Sequence, residues 1–234
     1  MKKNFKICAI ILTITLFLNF CGCNYDNSKY LSMYSQLIVD FKDTLNGVLS
    51  ESFESDFNSG KFLSPDANFE YEWGNMLIDA KNGIKNPKLS NFGYILKDIN
   101  SDDIPELFFV RDDYTILSVF TLIDNAPKLL GAFWSRYSCL MLDDNTIYIL
   151  SSNGANDFEY TIYELTVDNE LSVLKKFGMN ESYYEKINNQ IISITDTQFS
   201  DILELYPYVA GTDWSNNPLY SFDEKSGDGS VIDG

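Results

Sequence analysis

The chain has 234 residues, 45% hydrophobic and 15% aromatic, which suits one domain, or one domain plus a helical appendage, and favours a dense core over disorder. Its 34 acidic and 17 basic residues leave a net charge of −17, a surface that repels nucleic-acid phosphates and attracts cations. No histidine occurs, which excludes Ser-His-Asp and Cys-His catalysis, imidazole-bound zinc and imidazole pH sensing; an enzyme built on this chain would rely on carboxylates, Tyr, Lys or a bound ion.

The amino terminus carries Lys2, Lys3 and Lys6, followed by an apolar stretch from Ile7 to about Phe20. That stretch is shorter than the roughly 20 residues needed to cross a bilayer as a helix, and it fits the core of an export signal. The segment Phe20-Cys21-Gly22-Cys23 follows. It resembles the lipobox of bacterial lipoproteins, in which a small residue precedes the cysteine that receives a diacylglyceryl group; Phe20 stands where Leu is usual. The resemblance implies a signal peptide over 1–22, lipid attachment at Cys23, and a protein held on the extracytoplasmic face of the cell membrane. Acyl chains contribute about 0.8 kcal/mol per buried methylene, so two or three of them hold firmly. The alternative is an ordinary cleaved signal with incidental cysteines. Without 1–22, 14 basic residues face 34 acidic ones, a net charge of −20. With Cys23 acylated, only Cys139 remains, so no internal disulfide forms, and Cys139 in its apolar run reads as packing.

Asn24 to Lys29 is a polar tether, and residues 23–60 hold it together with one amphipathic helix. Leu31, Tyr34, Ile38, Phe41, Leu45 and Val48 step by three and four residues, a helical stripe expected to pack on its own domain, with a partner helix as the alternative. The globular domain is placed at 61–210. Ser64-Pro65-Asp66 opens a second helix, with Phe69, Trp73, Leu77 and Ala80 on its buried face and Asn82-Gly83 closing it. From about Phe92 the pattern changes to short aromatic and β-branched runs broken by acidic turns. Strands are expected at 92–97, 106–111, 114–123, 127–134, 137–142, 146–151, 158–167 and 170–177, with a last hairpin of 181–187 and 190–194 around Asn188-Asn189. Turns such as Asp124-Asn125 and Asp168-Asn169 are short enough for hairpins, giving an antiparallel meander. Thr195-x-x-Gln198 is a capping box for a helix running to Tyr206, and 211–234 reads as an acidic flexible tail. The fold class is therefore α+β, an antiparallel β meander flanked by N-terminal helices and one C-terminal helix.

One segment carries chemistry: Asp98-Ile99-Asn100-Ser101-Asp102-Asp103-Ile104-Pro105-Glu106-Leu107, between two strand-like runs. Oxygens at relative positions 1, 3, 5 and 9, with the carbonyl of the seventh residue, can converge on a hard cation that takes six to eight oxygen ligands. The segment resembles the D-x-D-x-D-G-x-x-[DE] calcium loops of FG-GAP and VCBS repeats, including their Pro-acid-Leu ending. The resemblance covers about a dozen residues and implies calcium ligation by Asp98, Asn100, Asp102, Glu106 and the carbonyl of Ile104. Asp103 departs from the pattern by standing where Gly is usual, a position that often needs positive φ. No second copy of the loop occurs, so the propeller function of those repeats does not transfer. The order of helix, DINSDDIPELFF, strand meander and closing helix also resembles small lipoproteins of low-GC Gram-positive bacteria, which implies location and no activity.

Other acids, Asp112-Asp113, Asp143-Asp144 and Glu54 with Asp56, raise carboxylate-pair glycoside hydrolysis as an alternative, although adjacent acids in turns are ordinarily surface residues. Trp73 and Trp134 read as core, whereas Trp214 is a candidate ligand contact, for example to a glycan. Three functions remain: a lipid-anchored binding or structural domain stabilised by one calcium ion, a carboxylate-based glycan-acting enzyme or accessory carbohydrate-binding protein of the envelope, and a protein docking through the 31–49 helix. No nucleic-acid partner is expected.

Overall fold

A computed structural model describes residues 27–50, 76–133, 136–142, 145–206 and 219–222. The chain divides into two compact units, Met1–Ser32 and Met33–Gly234. In the first, the described residues begin a helix: the Leu31 N–H donates to the Asn27 carbonyl, and Ser32 Oγ donates to the Lys29 carbonyl at 2.6 Å. This helix, α1, spans Ser28–Leu49. Within the second unit its residues Tyr34, Phe41, Leu45 and Val48 are fully buried, so most of the expected stripe packs inside the fold. Those four side chains are engaged within the fold, while Leu31 and Ile38 of the stripe are half-buried.

The second unit is an α+β fold around one antiparallel sheet, in strand order β10-β9-β8-β7-β6-β5-β3-β2-β1-β11, with β4 attached to β3. The strands are β1 (Phe92–Lys97), β2 (Glu106–Arg111), β3 (Ile116–Ile123), β4 (Ala126–Ala132), β5 (Tyr137–Met141) and β6 (Ile147–Gly154). They continue with β7 (Asp157–Leu165), β8 (Leu171–Asn180), β9 (Ser182–Ile187), β10 (Gln190–Ser193) and β11 (Tyr220–Ser221). The turns that sequence them use side chains suited to left-handed backbone: Asp124 and Asn125 have φ of 53° and 63°, Asn188 and Asn189 of 50° and 63°.

Two features depart from a simple meander. The second edge of β3 is shared: Ser118 to Ile123 pair with β4, while Ile116 pairs with Cys139 of β5. Within the stretch expected to be a flexible tail, Tyr220 and Ser221 instead pair with Tyr94 and Gly93 of β1. The apolar Leu219 and Phe222 are buried there, and Gly93 leaves room, since a Cβ on it would lie 2.5 Å from the Tyr220 carbonyl oxygen.

Alternation decides which face each strand side chain serves. Ile95, Phe108, Val110, Ile116, Val119, Cys139, Ile147, Ile149 and Leu165 share one cluster, although β1 and β7 lie five strand steps apart. The sheet must curl for β1 and β7 to share this cluster. The opposite face is covered in two places. Phe41 of α1 stacks on Phe109 with ring centroids 3.8 Å apart, beside Phe222. A second helix, α2 (Asp196–Leu205), places Phe199 over Tyr183, Phe177, Tyr160 and Phe158. Its capping box forms as the sequence predicts: Thr195 Oγ1 accepts from the Gln198 N–H at 3.2 Å, and Gln198 Oε1 accepts from the Thr195 N–H at 2.9 Å.

The helix expected from Ser64 is described over 76–82, where Leu77 and Ala80 are buried; its opening, Phe69 and Trp73 lie outside the described residues. Cys23, Trp134, Trp214, Glu54, Asp56, Asp143 and Asp144 lie outside them as well.

Candidate cation-binding loop

The curl of the sheet brings the β1–β2 connection, 98–105, against the β7–β8 turn. The loop is shaped by its own side chains. Asp98 Oδ1 accepts from the Ser101 N–H at 2.7 Å and Oδ2 from the Asp103 N–H at 3.0 Å. Asn100 Oδ1 accepts from the Asp102 N–H at 3.2 Å, and Asp102 Oδ1 from the Ile104 N–H at 2.8 Å. Short acceptor side chains at every second position thus fold the backbone around themselves, which is why Asp and Asn suit these places. Ser101 and Asp103 have φ of 62° and 67°, so the position where Asp replaces the usual Gly does take left-handed backbone.

Glu106 ends the loop and begins β2. Its residue is fully buried, with Oε2 accepting from the Ile99 N–H at 3.0 Å and Oε1 from the Thr121 hydroxyl at 3.2 Å. Burial pushes its carboxyl up to about 8; the Ile99 N–H opposes the rise, and the charges of Asp102 and Asp98 add to it. None of the described ion pairs involves Asp98, Asp102 or Glu106.

Four residues from elsewhere complete the arrangement. Asn100 Nδ2 lies 3.2 Å from Asp102 Oδ2, 3.1 Å from the Thr166 carbonyl oxygen and 3.4 Å from Asn169 Oδ1. The Thr121 hydroxyl is also 3.1 Å from Asn169 Oδ1. From the other side of the sheet, the Tyr34 hydroxyl donates to the carbonyl of Pro105 at 3.1 Å. Sequence spacing identifies the loop positions but not Thr121, Thr166 or Asn169; the one signal for Asn169 is an Asn in an acidic turn.

The donor set is all oxygen, with three carboxyls, an amide and a carbonyl within ten residues, and its chemistry fits a hard dication such as calcium. The carboxylates are not gathered on a point: among the described residues no group of three or more His, Cys, Asp or Glu side chains is arranged to hold a metal. The oxygens meet instead around the Asn100 amide, with the carboxylates of Asp98 and Glu106 turned toward backbone N–H groups. Each carboxylate oxygen that accepts one N–H keeps a lone pair for a second partner.

Elsewhere, acids sit in surface arrangements. Asp113 pairs with Arg111 at 2.8 Å, and Asp112 accepts from Asn91 Nδ2 at 2.7 Å. Glu159, on the sheet face, is held below the usual carboxylate range: burial raises it, and Lys186, Lys176 and Tyr184 more than reverse that. Cys139 is buried and its thiol is pushed well up by burial alone, in keeping with packing. No described helix is long and apolar enough to cross a membrane. Compared with protein-family models, curated proteins and solved structures, the chain matches none.

Proposed function

We propose that the protein is a lipid-anchored extracytoplasmic lipoprotein, attached through Cys23, whose single sheet domain is a binding or structural module stabilised by one calcium ion at the 98–106 loop. The observation that carries the ion is Glu106: a fully buried carboxyl with Asp102 and Asp98 as electrostatic neighbours and two neutral hydrogen-bond donors as its partners. Burying such a group uncompensated costs several kcal/mol, and a dication beside it removes the cost. Asp98, Asn100, Asp102, Glu106 and the Ile104 carbonyl would hold it, with water completing six to eight ligands. The ion's task is structural, to let β1 and β2 turn tightly. The anchor rests on the Phe20-Cys21-Gly22-Cys23 segment and its apolar leader, and the acidic surface keeps the domain away from anionic headgroups.

Calorimetric titration with calcium, beside thermal melts in calcium and in chelator, tests the ion. Binding with a dissociation constant of about 10⁻⁴–10⁻³ M, as in extracellular modules, and a higher Tm in calcium support the reading. Absence of both heat and melting shift ends it. Metabolic labelling with a fatty-acid probe tests the anchor: the label is lost in Cys23→Ala, and its retention would rule that residue out.

A further inference from the structure

The fold treats the two edges of the sheet differently. At one, β11 adds a short antiparallel strand to β1 and buries Leu219 and Phe222. At the other, β10 pairs with β9 alone among the described strands, and Ile187, Ile191 and Ile192 are 44%, 67% and 43% exposed. Edge strands are ordinarily blunted by a charge, a proline or a bulge, and Gln190–Ser193 carries none of these. We infer that a second copy of this chain covers this edge, adding its own β10 antiparallel about a twofold axis at Ile192. The inference goes beyond the calcium and anchor readings and depends on neither.

Backbone geometry fixes the register. The Ile194 N–H donates back to the Tyr183 carbonyl. By alternation Gln190 and Ile192 also turn their backbone groups toward β9, and Ile191 and Ser193 turn theirs outward. The extended stretch is bounded by the left-handed Asn188 and Asn189 and by the helix cap Thr195, so 190–194 is centred on Ile192. A twofold there sets Ile191 of each copy against Ser193 of the other, and each outward N–H meets an outward carbonyl. Charge selects the occupant. Two copies at −17 repel over most of their surface, but Ile187 to Thr195 holds no charged side chain. The β9 charges beside β10 are balanced within the chain: Glu185, opposite Ile192, pairs with Lys175, and Lys186, opposite Ile191, pairs with Glu159. This edge is therefore where a second copy meets neither repulsion nor a backbone mismatch, and a symmetric pairing closes at two chains.

The test uses the full-length chain in neutral detergent at about 100 µM, where an interface of micromolar strength is populated. Sedimentation is expected to give twice the monomer's protein mass for wild type. Ile192→Lys, which sets two ammonium groups across the axis, is expected to give the monomer mass. Mild oxidation reads the register. Positions 192 of the two copies form a non-hydrogen-bonded pair with Cα atoms about 4.5 Å apart, within disulfide reach; positions 191 lie diagonally, about 7–8 Å apart, outside it. Above the wild-type background, Ile192→Cys is expected to cross-link roughly tenfold faster than Ile191→Cys. Chance collision would give the reverse order, because Ile191 is the more exposed. Equal or reversed rates overturn the inference, as do a monomeric wild type, a dimeric Ile192→Lys or assemblies larger than two. A monomer whose β10 amides are protected from exchange also overturns it, since the chain's own residues would then cover the edge. If the variants do not fold, wild-type amide exchange decides. At about 1 µM the Ile191 and Ser193 amides of the monomer exchange freely, and at about 100 µM pairing slows them; rates independent of concentration overturn the inference.

Discussion

The Tyr34 hydroxyl, on α1, reaches through the core to the carbonyl of Pro105, the residue before Glu106. The ring is fully buried, so the phenol has no water to turn to, and burial followed by the charges of Glu106 and Asp102 raises its pKa. The amphipathic helix thus fixes the end of the candidate loop as well as covering the sheet. Tyr34→Phe keeps the packing and leaves the Pro105 carbonyl short of a partner. It is expected to cost about 1–3 kcal/mol in urea unfolding and to weaken calcium binding. An unchanged midpoint would show that the bond contributes nothing.

Calcium-free protein should show a pH dependence set by Glu106. The folded carboxyl is raised from the ordinary 4.5 to about 8, so the folded state holds a proton that the unfolded state releases. The contribution is full below about 4.5, is lost as pH rises through about 8, and is flat above that. Within the window the slope approaches about 1.4 kcal/mol per pH unit. Melts in chelator from pH 5 to 9 should show it in wild type and not in Glu106→Gln. Parallel curves for the two proteins would mean that Glu106 does not titrate there.

Gly178 of β8 gives a steric prediction with an internal control. A Cβ on it would lie 2.2 Å from the Phe158 carbonyl oxygen and 2.9 Å from Tyr184 Oη, the hydroxyl that donates to Glu159. Gly178→Ala should destabilise by about 1–3 kcal/mol or more, by the overpacking rule. Gly154, at the end of β6, has nothing within 4 Å of such a Cβ, and Gly154→Ala should stay within about 0.5 kcal/mol of wild type. Denaturant titration of the pair separates crowding from a general intolerance of the sheet.

Cys139 sits fully buried in the inner cluster of the curled sheet. A thiol reagent should label it only through opening of the fold, at least about a thousandfold more slowly than in the unfolded chain. Labelling by mass spectrometry, with and without denaturant, checks this. Fast labelling in native buffer would place the thiol at the surface.

Much of the sheet is legible in the sequence because its turns are chemically explicit. Asp124-Asn125 and Asn188-Asn189 combine polarity with tolerance of positive φ, and the runs between them hold no helical period. The pairing of β3 with both β4 and β5 is not legible, since adjacency in sequence points only to β4. Nor is β11: two strand residues among Ser, Gly and Asn carry no period, and their docking rests on the space at Gly93 and the burial of Leu219 and Phe222. The same limit holds for the site. Asp98, Asn100, Asp102 and Glu106 announce themselves by spacing, whereas Thr121 and Asn169 join through curvature, which no local pattern encodes.

The divided edge of β3 has a dynamic consequence. This strand hydrogen-bonds to β2 along one side and to β4 and β5 along the other, so a neighbouring strand must detach on either side before its amides meet solvent. Deuterium should therefore enter β3 last. β10 has a partner on one side only and exposes Ile191 and Ile192, so its amides should exchange first, and loss of order should travel inward from there.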